Sequence, residues 1–537
     1  MSRNSSTSAG LVAAVLALGV GGCPKPAPPE TPLPAALVLG PVVKTRLAEL
    51  RAKVKETPLP PAADVSALIA KLGEADPAAR RATEDALVAA GPGAIPALAA
   101  ALADTTLADA ARGTAALALG RLDHDAAVAP LVAALRDRSR YVRAFVSMAL
   151  GTLGRDEAVT ELLFRFKEEY EPEGVVVNAA AKSLLGFGNV GGLDRLVKNL
   201  RARQLEREDA IVLLKEIVGT DRGFDPSGAE LDRRVKATEW EDWLAFEAPA
   251  FLLARPAPPE PSDRLALKIV ETVDRLREYQ MRTIDDARLV LERLGVTAVP
   301  FLRLGLRDEE AKIRGYALEV TTLLGPRARD ATPEILGLLR DEMLAPFAYQ
   351  ALGAVAAKED ALPLLLRGLA DPRTEVRIAC AAGLGLQGDP AAGLEPLKKL
   401  LASKGRLPAD LELAADVASG ALGDLPAFGR ALDLAEASGA IDPDVAVRTV
   451  EDALARASRR FGGGRSPFRP AGAASPGVPS GTSHARPDPT AAAASASGAQ
   501  NPQPPADGVR VPVTAGATPP PPDRATRVAA IRAYLGG

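Results

Sequence analysis

The chain has 537 residues, 65 basic against 68 acidic, for a formal net charge of −3, so it lacks the electropositive footprint of a nucleic-acid binder. Aromatic residues make up 4% of it. Two histidines and two cysteines could build a metal centre only with ligands drawn almost wholly from carboxylates. At this length one compact core gives way to several domains or to an elongated array.

Arg3 stands in a polar lead, followed by an apolar run from Leu11 to Val20 that has signal-peptide length and is too short for a membrane span. The run closes as Val20-Gly21-Gly22-Cys23. Small residues directly before a lone cysteine resemble the bacterial lipobox. That resemblance implies that residues 1–22 are a lipoprotein signal peptide, removed by cleavage before Cys23, and that Cys23 carries lipid. It also implies a lipid-anchored place in the bacterial cell envelope, with the periplasmic face of the outer membrane the expected address. Residues 23–62 are proline-rich and read as an extended spacer. A short helix is expected from Leu47 to Lys55, before Pro58, Pro60 and Pro61 interrupt it.

Two stretches, 63–219 and 263–460, are predicted to be arrays of helix pairs. In the pair over 126–154, Val128, Leu131, Val132 and Leu135 fall at i, i+3, i+4 and i+7. Val142, Phe145, Val146, Ala149, Leu150 and Leu153 continue the same period on the second helix. Neither helix buries its apolar face against its partner alone, so each pair needs a copy on either side.

Three markers recur with the pairs. A proline near the start of the first helix appears at Pro96, Pro130, Pro300, Pro333, Pro363 and Pro396, where a first helical turn tolerates it. An aspartate with an arginine six residues on appears at Asp137/Arg143, Asp308/Arg314 and Asp371/Arg377. The aspartate is expected to cap the second helix, and its carboxylate to meet an arginine of the adjoining repeat. A small-residue close around Gly120, Gly151, Gly186, Gly353 and Gly385 marks a helix end or a close crossing. Glycine and proline punctuation without sustained heptads excludes a long coiled coil.

This combination resembles the HEAT repeat family, and the resemblance implies an all-α fold: an α-solenoid of HEAT-like hairpins with the second helix of each pair lining a concave surface. The insert at 220–262 carries Gly223-Phe224-Asp225-Pro226 and a charged helix with Trp240 and Trp243. It reads as a staple sealing one array onto the next, or alternatively as an exposed indole platform for a ligand or glycan. Residues 461–522 shift to Pro, Ala, Gly and Ser and are predicted to be disordered. Residues 523–537 are predicted to be a short helix capped by Asp523. Val528, Ile531 and Leu535 lie on one face of it, available for docking on a partner.

No Gly-x-Ser-x-Gly elbow, phosphate-binding glycine loop, His-Glu-x-x-His or Cys-x-x-Cys is present. His124 suits a helix cap or turn, Cys380 a packed helix face, and the charge run from Arg201 to Glu208 a solvated one. The iron-binding His-Glu steps of HEAT-like deoxyhypusine hydroxylases have no counterpart. The sequence therefore predicts a non-catalytic, lipid-anchored scaffold without cofactor or metal, binding a protein or peptide and no nucleic acid. The alternatives are a HEAT-like lyase-type enzyme and a cell-wall carbohydrate module centred on Trp240 and Trp243.

Overall fold

The computed structural model describes residues 35–461, apart from 75, 257, 404–406 and 439–440, together with residues 523–536. The expected signal peptide, Cys23, the first part of the spacer and residues 462–522 of the tail lie outside the described residues. The chain divides into two units, Met1–Ser466 and Pro467–Gly537.

In the first unit, helix α1 (Val42–Lys53) precedes a first array. That array comprises α2 (Ser66–Ile69), α3 (Pro77–Ala89), α4 (Ile95–Ala103), α5 (Asp109–Arg121), α6 (Val128–Ala134), α7 (Arg140–Leu153), α8 (Ala158–Phe164), α9 (Gly174–Gly186), α10 (Leu193–Asn199) and α11 (Gln204–Val218). The insert folds as α12 (Glu230–Phe246) and α13 (Ala248–Ala254). The second array comprises α14 (Asp263–Asp274), α15 (Met281–Leu294), α16 (Val299–Leu306), α17 (Ala311–Leu324), α18 (Thr332–Leu338), α19 (Ala345–Val355), α20 (Lys358–Gly368), α21 (Thr374–Gln387), α22 (Pro390–Leu401), α23 (Ala409–Ala421), α24 (Pro426–Ala437) and α25 (Pro443–Phe461). The second unit contains α26 (Arg524–Gly536), started by Asp523, whose Oδ1 accepts the Thr526 N–H at 2.8 Å.

The local sequence explains the hairpins. Ser139 caps α7 by accepting the Val142 N–H at 3.5 Å, and Gly154 ends it in the left-handed region at φ 69°. Between them Val142, Val146, Ala149, Leu150 and Leu153 are buried at the predicted period. Successive second helices pack on one another, α5 on α7, α7 on α9 and α9 on α11, then α15 through α25 by the same rule. Glycine sets how closely they approach. A Cβ on Gly120 of α5 would sit 2.6 Å from the Ala149 carbonyl oxygen of α7, and one on Gly385 of α21 only 3.0 Å from Ala418 Cα of α23. Gly186 meets nothing within 4 Å and simply ends α9. The prolines divide likewise. Pro96, Pro300 and Pro333 sit at the first turn of their helices, as predicted. Pro363 and Pro396 instead lie inside α20 and α22, because Glu359 and Asp360 or the Asp389 cap start those helices a turn earlier.

The two arrays meet side on. The first helices of the second array, α14 and α15, pack against α8, in the middle of the first. Tyr170 Oη donates to Asp286 Oδ2 at 2.6 Å, Lys167 Nζ to Asp286 Oδ1 at 2.5 Å, and Arg293 grips Asp194 with both Nη atoms at 3.1 Å. The insert helix α12 packs on α10 and also touches α25, the last helix of the second array. The charge run from 201 to 208 is largely exposed, as expected, and is tied into this architecture at two points. Arg201 Nε donates to Glu241 of the insert at 2.6 Å, and Glu206 is buried beneath Arg203.

The spacer expectation needs correction over residues 35–53. The helix runs from Val42 to Lys53, earlier than predicted, and lays Val43, Leu47 and Leu50 into the outer side of the second array against α14 and α16. Ahead of it, Gly40 N–H donates to Arg307 O at 3.2 Å and Gly40 O accepts the Glu309 N–H at 2.8 Å. Asp308 Oδ2 accepts the Val43 N–H at 3.2 Å, capping α1 from another part of the chain. Leu37 fills the space left by the missing side chain of Gly337. Three apolar residues at i, i+4 and i+7 thus turn a proline-flanked segment into a strap.

Candidate interaction surface

Within each predicted Asp–Arg pair the arginine reaches back to its own aspartate's carbonyl. Arg143 Nη1 donates to Asp137 O at 2.8 Å, Arg314 Nη1 to Asp308 O at 3.0 Å and Arg377 Nη1 to Asp371 O at 2.8 Å. The aspartates do not cap the second helices. Each accepts the N–H two residues on, from Ser139 at 2.8 Å, Glu310 at 3.1 Å and Arg373 at 2.9 Å, because those residues, not the aspartates, hold the cap positions.

The expected link, from the aspartate to an arginine of the adjoining repeat, is present at Asp137; in two of the pairs the arginine reaches instead to the acid of the next repeat. Arg143 grips Glu171 through Nε at 2.6 Å and Nη2 at 2.8 Å, and Arg314 Nη2 holds Asp341 Oδ2 at 2.9 Å. Asp137 receives Arg112, whose side chain is fully buried. Arg377 Nη2 turns to Thr374 Oγ1 at 2.9 Å instead. Glu171 and Asp341 occupy the aspartate position of the following repeat, accepting the N–H of Glu173 and Met343. The sequence pattern missed them because Val177 and Phe347 stand six residues later in place of arginine. Burial alone would raise the Asp341 carboxyl, but the Leu344 N–H, Arg314 and the Met343 N–H together hold it below the usual carboxylate range.

These contacts orient the second helices, and what those helices leave uncovered differs between the arrays. In the first array the second residue of each is apolar: Ala110, Tyr141, Val175 and Leu205. Tyr141 is 52% exposed and Leu205 63%. Seven residues on, two turns along the same face, follow Met148 at 41%, Lys182, and Val212 at 63%. At the corresponding second position α15, α17, α21 and α23 carry Arg282, Lys312, Glu375 and Asp410. The second position is thus apolar on four consecutive second helices of the first array, whereas in the second array Pro346 of α19 is the apolar exception among charged residues. Helical periodicity does not mark these residues, because they lie off the packed face that it detects.

The indole platform is not present. Trp240 is fully buried and Trp243 nearly so, edge to face at 5.2 Å, with Phe251 of α13 edge-on to Trp243 at 5.6 Å. Trp240 Nε1 donates to Asp221 O at 3.3 Å. The two rings form the core of the insert, so no indole face is left for a sugar. Cys380 is buried where Gly368 leaves room for its Sγ, and burial pushes its thiol well above its ordinary value, the opposite of an activated nucleophile. His124 Nδ1 accepts the Ala126 N–H at 3.1 Å and starts a helical turn. Among the described residues no three His, Cys, Asp or Glu side chains are placed to share a metal ion.

Stacked helical hairpins joined by side-chain ladders define the class as a helical-repeat solenoid. Residues 107–184, spanning α5 to α9, match the family model for HEAT repeats. No curated protein matches it. Among solved structures it is similar to human deoxyhypusine hydroxylase in complex with glycerol, at 19% identity and TM-score 0.19, covering 64% of this chain and 97% of that one. It is also similar to an engineered protein, at 18% identity and TM-score 0.20, covering 73% and 99%. A third is Kap121p bound to Nup53p, at 13% identity and TM-score 0.24, covering 73% of this chain and 49% of that one. The chain spans about half the length of Kap121p. Likeness this distant carries no functional argument.

Proposed function

We propose that this protein is a non-catalytic scaffold, held by lipid on Cys23 in the bacterial cell envelope, that binds a protein or peptide along the second helices of its first array. The observation that carries the reading is the apolar row of Tyr141, Met148, Leu205 and Val212, exposed at matching positions of α7 and α11, helices whose other faces are packed. Apolar side chains kept at the surface in register across several repeats gain stability only when something covers them. Lipid on Cys23 would confine the search for that partner to a membrane surface, with the periplasmic face of the outer membrane the favoured one.

The test places a photo-crosslinking amino acid at 148 or 212 in cells, with position 231 on α12, also exposed, as the control. The expected outcome is one discrete partner captured from 148 and 212, absent from 231, and lost when Leu205→Asp is added. Capture that is indifferent to position, or to Leu205→Asp, refutes the surface. Cys23→Ala is expected to move the protein from the membrane to the soluble fraction, and retention on the membrane refutes the anchor.

A further inference from the structure

The form of the surface on α7, α9 and α11 narrows what can cover it. On each helix the second and ninth residues are exposed or half-buried, and seven residues set them about 10.5 Å apart along the helix. The second positions hold Tyr141, Val175 and Leu205, and the ninth positions Met148, Lys182 and Val212. Between these two rows, at the sixth position, lie half-buried Phe145 and Ala179 and exposed Asp209. Phe145 is drawn down onto α5, where a Cβ on Gly113 would meet its ring at 2.5 Å. Two walls and a lower floor thus make a shallow trough across α7 and α9, which opens at α11 onto Asp209.

Width selects the occupant. An α-helix with its side chains is about 10–12 Å across and meets both walls at once. An extended chain, about 5 Å wide by the spacing of paired strands, leaves one wall bare.

Charge sets the direction. α7 contains no acid, and its Arg140 and Arg143 are held by Glu173 and Glu171 at 3.0 and 2.6 Å. α11 exposes Asp209 and Glu216, with Glu208 beside them accepting the neutral Gln204 amide at 2.8 Å. Two cations lie near these acids. Lys215 is taken by Asp221 at 2.9 Å, and Lys182 acts on Asp209 through its charge, offsetting one of the three. Among the described residues none of the three carboxylates forms an ion pair. One end of the trough is therefore apolar and the other apolar with a surplus of negative charge.

We propose that the protein partner enters this surface as an amphipathic α-helix of about three turns, laid across α7, α9 and α11 with its apolar stripe between the two rows. Its amino-terminal end lies over α11, so that the positive end of its dipole and a lysine or arginine carried there meet Asp209 and Glu216. The assignment rests on the apolar row being a protein-binding surface.

The experiment places p-benzoylphenylalanine singly at 141, 148 and 212 of the full chain in cells and locates the captured partner residues by mass spectrometry. Successive second helices stand about 8–10 Å apart, so 148 on α7 and 212 on α11 are separated by about 16–20 Å. A helix covers that span with about 11–13 residues, an extended chain with about 5–6. The residue captured from 212 is therefore expected about 11–13 positions before the one captured from 148. The residues captured from 141 and 148, on opposite walls, are expected within about four positions of each other. Asp209→Lys with Glu216→Lys is expected to cut capture at 212 about fivefold or more, while Asp232→Lys on α12 leaves it unchanged. An offset under about nine residues overturns the helix, and the reverse order or indifference to the charge reversal overturns its direction. Captured residues from 141 and 148 that lie far apart in the partner also overturn the helix. Capture from none of the three positions is a different failure, because it removes the binding surface itself.

Discussion

Truncating Arg143 to alanine tests whether the inter-repeat ladder stabilises the array. Among the described residues Arg143 is the one cation hydrogen-bonded to the Glu171 carboxylate, holding both oxygens at 2.6 and 2.8 Å, and the Glu171 side chain is fully buried. After Arg143→Ala, Glu171 keeps the Glu173 N–H at 3.2 Å and loses the guanidinium bound to its carboxylate, leaving only the more distant charges of Arg165 and Arg195. An unpaired buried charge of this kind costs about 3–5 kcal/mol. The lower end applies here, since Arg143 itself is 12% exposed and water can follow it in. Because a repeat array does not unfold as one two-state unit, the assay is local. Hydrogen exchange of α7 and α9 is expected to accelerate by roughly a hundredfold, about 3 kcal/mol at 1.4 kcal/mol per decade, while α21 and α23 stay unchanged. The double variant Arg143→Leu with Glu171→Leu removes both charges and is expected to recover most of the loss. Unaltered exchange in α7 and α9, or equal acceleration in α21, refutes the reasoning. So does a double variant as unstable as the single one, because the penalty is then lost packing rather than an orphaned carboxylate.

Other perturbations follow from the same geometry. Gly120→Val drives a side chain into the Ala149 backbone and is expected to cost about 1–3 kcal/mol. Gly186→Ala, with open space around it, is expected to be neutral or to stabilise by a few tenths of a kcal/mol, as thermal unfolding will show. Leu47→Asp sets a charge in the buried stripe of α1 and is expected to release the strap, so that limited proteolysis cuts within the exposed 55–62 segment. Val38→Asp, at a position 88% exposed, is expected to leave that pattern unchanged. The Asp341 carboxyl is held below its unfolded value. The stability it contributes is therefore full above about pH 4 and lost as pH falls through the lower folded value. Acid titration of Asp341→Asn, followed by hydrogen exchange in α17 and α19, is expected to show a shallower loss than the parent chain. An identical acid profile sinks that assignment.

The hairpins were legible because each is specified within its own few residues. Val142 to Leu153 state which face is buried, Ser139 and Gly154 where the helix begins and ends, and Gly120 how near the neighbour comes. The ladder was legible in part, since Asp–x5–Arg marks a turn closed by its own arginine and therefore recurs at fixed spacing. Its outer half depends on whichever residue the next repeat offers, and Glu171 and Asp341 serve without the rest of the motif. A spacing rule that requires both residues therefore finds the turn and misses the partner.

The long-range contacts were not legible, for a different physical reason. Periodicity shows that a face is covered and is silent on what covers it. The stripe of Val43, Leu47 and Leu50 could as well pack on the next helix in sequence, yet it crosses to α14 and α16, where Asp308 offers a cap and Gly337 a socket for Leu37. Nothing in the local sequence of Lys167, Tyr170 and Asp286 marks the contact that the side-on meeting of the arrays gives them. Outward faces are free of the packing constraint that writes a pattern into inward ones. The apolar row on the second helices therefore lies at positions where the repeat itself leaves the residue type unspecified.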